Sequence, residues 1–343
     1  MRVAFFHHYS LTHGGGGEGF LIELANFLAS RGHRVEIHAL PFRRRNVSPH
    51  LRQGVTYCEG VVHHAEADVS YHMYAPMLSH LFHCSGPRIA GLHGAVVADY
   101  DSPAGFYFRQ GPYVAGAYVF RETVGRFDLD GFNLIHAVSP VPISHPPVRV
   151  LPNWVDCSNS ARALEHKREP EGVFSVLYVG KPSYTKGFDR FEALSEMLSG
   201  NGIEFWAAFP PDPAYHGNAR IKWLGYIPHE EMWGVYAKAS VLLHPTRQET
   251  FGRVILESLA AGTPVITTPI PSHTSLQLPL EYAATLPNMK AAIERIHAQW
   301  QTDYDDYYRS AAASAHEVTR FDAQVLLPQY EDMVREVARG SSG

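Results

Sequence analysis

A strand, a turn, a helix and a second strand follow one another without interruption between residues 240 and 268. Val241–His244 is a short apolar strand, and Gly252–Ala261 has the apolar spacing of a helix that ends at Gly262. Val265–Thr268 is the second strand. Because a helix between two strands allows them to run in the same direction, this unit predicts a parallel sheet covered by helices.

The same succession opens the chain and begins again after residue 172. The opening copy has a buried strand, a glycine-rich loop, an amphipathic helix and a second strand, over Arg2–His8, Tyr9–Glu18, Phe20–Arg31 and Val35–Leu40. The later copy begins with the strand Phe174–Val179. We therefore predict an α/β protein of two Rossmann-like parallel-sheet domains. Since ligands bind beyond the carboxyl ends of parallel strands, the two sets of loops are expected to face each other across a cleft.

The polar stretch 158–172 separates the two copies. It shows no apolar face, and we interpret it as a linker between a first domain, residues 1–157, and a second domain, residues 173–320. A last amphipathic helix is predicted over 321–338, and 339–343 is expected to be a disordered tail.

Charge and composition argue against several classes of protein. The 343 residues carry a formal net charge of −5, so no nucleic-acid partner is expected. No run of about 18 apolar residues suggests a membrane span, and the first residues form a strand pattern rather than a signal peptide. The three cysteines, Cys58, Cys84 and Cys157, have neither disulfide nor metal-binding spacing, which favours a cytoplasmic protein.

The glycine-rich loop of the opening copy contains Gly14-x-Gly16-x-x-Gly19, the spacing of the dinucleotide-binding fingerprint. Residues 9–13 separate it from the strand, and no acidic residue ends the following strand. A nicotinamide or flavin site is therefore the less favoured interpretation. A loop that lets a diphosphate or a sugar approach the backbone closely fits better.

Three Asp-x-Asp triplets have a spacing that can hold a divalent cation, at Asp99–Asp101, Asp128–Asp130 and Asp303–Asp305. They occur in unrelated surroundings, and we interpret them as background. No metal and no other cofactor is expected.

Two acidic and two basic residues of the second domain point to an anionic ligand. Glu249 stands just before the predicted helix and Glu257 lies inside it, on either side of first-turn N–H groups that favour an anion. Lys181 and Lys186 flank the tight loop after Phe174–Val179. A solvated turn would also explain these lysines. Phosphate binding is favoured because a charge-assisted hydrogen bond can contribute about 1.5–3 kcal/mol.

Four blocks of the sequence together resemble the family 4 (GT4) retaining glycosyltransferases, which have the GT-B fold. In family order, the blocks are Gly15-Gly16-Gly17-Glu18 with Gly32-His33-Arg34-Val35, Ala137-Val138-Ser139 with Pro152-Asn153-Trp154-Val155-Asp156, Val179-Gly180-Lys181 with Lys186-Gly187, and Glu249-x7-Glu257 with Phe251-Gly252 and Gly262-Thr263-Pro264-Val265. Two positions depart from the family pattern. Lys181 stands where an arginine is usual, and Trp154 where a glycine is usual.

The resemblance implies two residues at the reacting sugar. Glu249 would accept hydrogen bonds from hydroxyls of the donor sugar, and His93 falls at the position of a family histidine beside that sugar. The residues that follow Glu249 would complete the sugar site, namely Thr250, Phe251, Gly252 and Arg253.

The resemblance also implies how the nucleotide is held. Glu257 would bind the ribose hydroxyls, and the base would lie near Tyr226. The diphosphate would be held by Lys181, Lys186, Gly15 and Gly16. The last helix, residues 321–338, would pack back on the first domain.

The implied activity is transfer of a sugar, with retention and without a metal, from a UDP- or GDP-sugar to a hydroxyl acceptor by front-face attack. Glu249 and Glu257 do not form a hydrolase pair, because both lie at one end of one helix rather than across a glycosidic bond. The alternatives are a GT-B nucleotide-sugar epimerase and a non-catalytic nucleotide-sugar-binding protein.

The acceptor is not identified by the sequence, and a saccharide, a lipid-linked glycan or a small molecule would all fit. Arg43, Arg44 and Arg45 form a basic segment whose simplest interpretation is a solvated loop. The alternatives are binding of an anionic acceptor and peripheral contact with the inner face of the membrane.

Overall fold

The computed structural model describes residues 1–13, 15–41, 49–61, 63–73, 82–93, 129, 131–141, 143, 145–167, 172–198, 200–209 and 218–340. The chain divides into two compact units. Unit 1 consists of Met1–Asn153 and Gln324–Gly343, and unit 2 consists of Trp154–Ala323.

Unit 1 is built on a seven-stranded sheet in the order β3-β2-β1-β5-β7-β8-β9, in which every pair of neighbours is parallel. Its strands are β1 (Arg2–His7), β2 (Arg34–Ala39), β3 (Val55–Glu59), β5 (Val69–Met73), β7 (Arg88–Leu92), β8 (Leu134–Ala137) and β9 (Val148–Val150). A separate parallel pair consists of β4 (His63–Ala65) and β6 (Phe82–Cys84). A short 3-10 helix, Leu11–His13, precedes the helix Gly16–Ser30. All residues of β5 and β8 are buried, as expected for central strands covered on both faces.

Unit 2 is built on a six-stranded, fully parallel sheet in the order β12-β11-β10-β13-β14-β15. Its strands are β10 (Phe174–Val179), β11 (Ile203–Ala208), β12 (Ile221–Trp223), β13 (Val241–His244), β14 (Val265–Thr267) and β15 (Glu281–Tyr282). Its helices are Ser160–His166, Phe188–Leu198, Met232–Lys238, Arg253–Ala260, Pro271–Thr274, Leu286–Thr302 and Tyr304–Val318, with 3-10 turns at His229–Glu231 and Thr319–Phe321. The predicted α/β class with two parallel sheets is confirmed.

The stretch 158–172 is not an irregular linker as far as its described residues show. Ser160–His166 is a helix of unit 2 in which Ala163 is buried. A Cβ on Gly262 would lie 2.5 Å from Leu164 Cδ2, so this short helix packs against bare backbone. Lys167 is buried as well, and its Nζ donates a hydrogen bond to Ala239 O at 2.5 Å. The polar composition was misleading because the helix is too short to show an apolar stripe.

The last helix, Ala323–Arg339, belongs by its contacts to unit 1, where Tyr330, Met333 and Val334 are buried. It begins two residues later than predicted, because Thr319–Phe321 forms a 3-10 turn. Arg339 ends the helix rather than beginning a tail, and residues 341–343 of the predicted tail lie outside the described residues.

Glu331 anchors this last helix to the first elements of unit 1. Its carboxylate is within 3.0 Å of His33 Nε2, accepts a hydrogen bond from Arg31 Nε at 3.1 Å and is held by Arg335 from its own helix. Burial alone would raise the pKa of Glu331, but these donors outweigh it and lower the pKa to about 2.

Candidate functional site

The two central strands of unit 2, β10 and β13, end at the same edge of the sheet, and the loops that follow them are in contact. Arg247 N–H donates to Thr185 O at 2.8 Å, and Thr246 Oγ1 donates to the same carbonyl at 3.0 Å. Arg247 also binds Asp189 with two hydrogen bonds, of 2.7 and 2.6 Å. The carboxyl end of adjacent parallel strands is where ligands bind in open α/β sheets.

Gly187 sets how closely these loops approach. Its φ is +70°, and a Cβ at this position would lie 2.0 Å from Pro245 O, at the end of β13. Only glycine fits this backbone and this contact. The preceding residue, Lys186, is thereby held next to Glu249.

Glu249 and Lys186 form an ion pair across the two loops, with Lys186 Nζ donating to Glu249 Oε2. The Glu249 side chain is 15% exposed, and the imidazole of His244 lies 3.8 Å from its Oε2. Burial alone would raise the pKa of Glu249, but the charge of Lys186, with His244 nearby, holds that pKa well below its usual value. Glu249 is therefore an ionised carboxylate, and it acts as a hydrogen-bond acceptor.

The backbone after Glu249 turns sharply into the helix Arg253–Ala260. Thr250 N–H donates to Glu249 Oε1 at 3.0 Å, and Phe251 is buried. Gly252 is the N-cap, with φ +87°, and a Cβ there would lie 3.3 Å from His273 Nε2. The N-terminus of this helix, which is its positive end, therefore lies next to the Lys186–Glu249 pair. A helix N-terminus favours an anionic group at the same place.

Glu257 projects from the second turn of that helix. Its Oε2 accepts a hydrogen bond from Tyr236 Oη at 2.8 Å, and its Oε1 is 3.3 Å from His229 Nε2 and 4.0 Å from Arg253 Nε. Burial alone would raise the pKa of Glu257, but His229 and Arg253 outweigh it, so the pKa is lowered. The His229 side chain is 62% exposed, so Oε1 faces a partner that a ligand hydroxyl can replace.

The other predicted residues of unit 2 border the same edge of the sheet. Lys181 is exposed in the loop after β10, where its carbonyl accepts a hydrogen bond from Tyr178 Oη at 3.2 Å. Tyr226 follows β12 and is 69% exposed, which leaves its ring available for stacking. The structure therefore brings Lys186 and Glu249 into direct contact, and it places Lys181 after β10, Glu257 in the helix after β13 and Tyr226 after β12.

The predicted residues of unit 1 lie at the carboxyl ends of its central strands. Gly15 is the N-cap of the helix Gly16–Ser30, and its N–H donates to Glu18 Oε2 at 2.8 Å. Glu18 Oε1 is 2.8 Å from His7 Nε2. His93 directly follows β7 and is buried, with Nε2 2.7 Å from Tyr71 Oη. The predicted basic segment Arg43, Arg44 and Arg45 lies outside the described residues.

Sequence reasoning assigned no role to several residues around the site. Glu18 follows Gly15 by three positions, the spacing of a capping box, and that signal could have found it. Tyr236, the partner of Glu257, and Tyr71, the partner of His93, lie 21 and 22 positions from those residues, at no motif spacing.

The described part of the chain contains no group of three His, Cys, Asp or Glu residues arranged to hold a metal ion. Asp303, the first residue of one Asp-x-Asp triplet, caps a helix and accepts a hydrogen bond from Asp306 N–H at 3.0 Å. The aspartates of the other two triplets lie outside the described residues. None of the helices described is both long and apolar enough to cross a membrane.

Comparison with known proteins agrees with this geometry. Residues 213–317 match the family described as Glycosyl transferases group 1. The 2-deoxystreptamine N-acetyl-D-glucosaminyltransferase of Streptomyces fradiae is 26% identical over 312 residues, which are 84% of this chain and 74% of that protein. Several other curated relatives align over a shorter region, so that this chain spans between 19% and 32% of their length.

Two solved structures have the same fold over nearly the whole chain. Sucrose-phosphate synthase from Thermosynechococcus elongatus has a TM-score of 0.74 at 18% identity and covers 99% of this chain and 100% of its own. The Anabaena protein HepE, in complex with UDP and glucose, has a TM-score of 0.69 at 15% identity and covers 98% and 100%. This chain therefore has the GT-B fold, with two Rossmann-like parallel-sheet domains, and its similarity to the family Glycosyl transferases group 1 extends over residues 213–317.

Proposed function

We propose that this GT-B protein is a GT4-type retaining glycosyltransferase that moves a sugar from a UDP- or GDP-sugar to a hydroxyl acceptor without a metal ion. The observation that carries the proposal is the Lys186–Glu249 pair, held between the loops after β10 and β13 at the start of the helix Arg253–Ala260. In this pair, a cation that would bind phosphate lies beside an ionised carboxylate that would accept hydrogen bonds from sugar hydroxyls.

The diphosphate of the donor would bind at Lys186 and Lys181, next to the positive end of the helix. Charge develops on this group as the glycosidic bond breaks, and fixed cations with helix N–H groups stabilise it most in the transition state. A donor diphosphate would compete with Glu249 for Lys186. Its binding would therefore release Glu249 to accept hydrogen bonds from the donor sugar.

The nucleoside would be held from the second turn of the same helix. Glu257 would exchange the exposed His229 for the ribose hydroxyls while Tyr236 continues to orient its carboxylate. The exposed ring of Tyr226 would stack on the base. A uridine nucleotide is the favoured donor, because the structural neighbour HepE was solved with UDP and glucose.

Retention is proposed from the family resemblance. The acceptor hydroxyl would attack the sugar on the face from which the diphosphate leaves, and a phosphate oxygen would take its proton. By the same resemblance, Gly15 and Gly16 would help to hold the diphosphate, and His93 would lie beside the reacting sugar. The acceptor is a saccharide, a lipid-linked glycan or a small molecule.

The free cysteines Cys58, Cys84 and Cys157 support a place in the cytoplasm, where thiols stay reduced. Peripheral contact with the inner face of the membrane through Arg43, Arg44 and Arg45 is part of the proposal. Binding to vesicles with and without anionic lipid tests it.

A thermal-shift panel of nucleotide-sugars tests the donor first, because a donor at 100 times its Kd stabilises the fold by about 2.7 kcal/mol. Glu249→Ala is then expected to abolish transfer without weakening UDP binding, since Glu249 would bind the donor sugar and its loss leaves Lys186 free for the diphosphate. Glu257→Ala is expected to weaken UDP binding in a calorimetric titration.

A matched control is Glu294→Ala, which removes a carboxylate from the exposed Lys290–Glu294 pair of the same unit. It should change neither transfer nor UDP affinity. Normal turnover by Glu249→Ala would refute the proposed site. An altered sugar stereocentre in the free nucleotide-sugar, with no transfer to any hydroxyl, would favour the epimerase, and donor binding with neither reaction would favour a binding protein.

A further inference from the structure

A chain of hydrogen bonds runs through the core of unit 1 and ends at His93. Leu151 O is 3.0 Å from His136 Nε2, His136 Nδ1 is 2.6 Å from Tyr71 Oη, and Tyr71 Oη is 2.7 Å from His93 Nε2. The imidazoles of His93 and His136 and the Tyr71 ring are buried. No role for Tyr71 or His136 follows from the proposed donor site.

The backbone carbonyl of Leu151 sets the direction of this chain. A carbonyl oxygen can only accept, so His136 Nε2 carries the hydrogen and donates it. Burial lowers the pKa of His136 to about 4, so its ring is neutral and its Nδ1 is an acceptor. Tyr71 therefore donates its single hydroxyl hydrogen to His136 Nδ1. Its oxygen can then only accept from His93, which must be protonated at Nε2. Burial holds the pKa of His93 well below its usual value, so that ring is neutral and its Nδ1 is an acceptor.

The opposite direction is disfavoured by the surroundings of His136. If Tyr330 donated to His136 Nε2, the lone pairs of that nitrogen and of Leu151 O would face each other at 3.0 Å. Tyr330 Oη has two acceptors of its own, Leu151 O at 2.9 Å and Pro152 O at 3.1 Å. The direction from His93 to Leu151 leaves every group with a compatible partner.

Gly91 makes room for this arrangement. It lies two residues before His93 in β7, and a Cβ at this position would lie 2.4 Å from Tyr71 Oη. Any other residue would displace the hydroxyl that joins the two histidines. On the other side, the Phe20 ring lies 4.3 Å from the His93 ring, centroid to centroid, and limits its rotation.

We propose that Tyr71 and His136 are positioning residues that hold His93 as the neutral Nε2–H tautomer, so that His93 Nδ1 accepts a hydrogen bond from a hydroxyl of the reacting sugar. The proposal rests on the proposed function, which places His93 beside that sugar. His93 then accepts a hydrogen bond from an uncharged hydroxyl group, and it does not serve as a cation that binds phosphate.

The tautomer can be read without any substrate. Long-range proton–nitrogen correlation spectra of the full chain with isotope-labelled histidine distinguish protonated from bare ring nitrogens. The His93 signals are those that His93→Gln removes. At neutral pH we expect a protonated Nε2 and a bare Nδ1, and a protonated Nδ1 would overturn the proposal.

Two substitutions at His136 separate positioning from general support of the fold. His136→Phe removes the acceptor of the Tyr71 hydroxyl, which should then donate to His93 Nε2 and shift the hydrogen of His93 to Nδ1. His136→Asn keeps an acceptor oxygen near the position of Nδ1 and should retain the wild-type tautomer and transfer rate. The same His93 spectrum in both variants would overturn the proposal.

Activity provides the last readout. Tyr71→Phe should lower kcat roughly tenfold or more, because a buried polar group loses its partner at the reacting centre, with little change in UDP affinity. Tyr330→Phe is the matched control: it removes a hydroxyl on the other side of His136 and should keep both tautomer and kcat. Equal losses in both variants, or none in Tyr71→Phe, would overturn the proposal. A wild-type chain that bound no nucleotide-sugar would refute the proposed function, and the spectra would still decide the tautomer.

Discussion

Gly187→Ala is expected to disable the donor site without touching any of its polar groups. The new Cβ would lie 2.0 Å from Pro245 O. Because heavy atoms of this kind pack at about 3.5 Å, the loop after β10 or the end of β13 has to move by roughly 1 to 1.5 Å. Lys186, the preceding residue, moves with the loop and away from Glu249.

The expected magnitude has a stability part and an activity part. An alanine at φ +70° costs about 1–2 kcal/mol of backbone strain. The overlap with Pro245 adds about 1–3 kcal/mol. A misplacement of about 1 Å at a reacting centre can lower the rate about a hundredfold. We therefore expect kcat/KM to fall far more than the loss of folded protein explains.

Gly32→Ala separates strain from overlap. Gly32 has φ +83° at the end of the helix Gly16–Ser30, and no described atom lies within 4 Å of its Cβ position. This variant should lose about 1–2 kcal/mol of stability and keep its activity. The two variants are compared by urea unfolding and by release of UDP from a UDP-sugar. A Gly187→Ala protein with kcat/KM within twofold of Gly32→Ala would refute the reasoning.

Three further predictions concern single contacts. Tyr236→Phe removes the 2.8 Å hydrogen bond to Glu257 and should weaken UDP binding severalfold in calorimetry, with normal binding arguing against a ribose role for Glu257. Glu331→Gln should destabilise unit 1 by about 1–3 kcal/mol in urea unfolding, because His33 and two arginines lose an ionised partner. Burial lowers the pKa of His72 to about 3, so below pH 6.5 the unfolded chain binds a proton that the folded chain refuses. This difference has no effect on the free energy of unfolding above pH 6.5. Below pH 6.5, it lowers the free energy of unfolding by about 1.4 kcal/mol per pH unit. His72→Phe should remove this part of the pH dependence of the free energy of unfolding between pH 6 and pH 5. An unchanged pH dependence would contradict a lowered pKa of His72.

The parts of the site that depend on parallel-strand geometry could be predicted from the sequence. Lys186 follows one apolar strand and Glu249 follows another, and parallel strands end at one edge of a sheet. The sheet order places β10 directly beside β13, so the two side chains meet.

The contacts between distant positions could not be predicted. Tyr71 and His136 are 65 positions apart and lie on strands that are not neighbours, and only the room left by Gly91 lets them meet. The helix Ser160–His166 was missed for a related reason, since its burial depends on bare backbone at Gly262, about a hundred positions away. Local patterns carry no information about such close approaches.

The anchoring of the last helix by Glu331 has a consequence for the order in which the protein is made. Unit 2 is one continuous stretch, Trp154–Ala323, whereas unit 1 needs Gln324 and the residues after it. A ribosome therefore releases all of unit 2 before the final piece of unit 1. Because domains fold as units during synthesis, the half of the chain that is made first is completed last. Until then, His33 lacks the carboxylate of Glu331, and the carbonyl of Leu151 lacks the hydrogen bond from Tyr330.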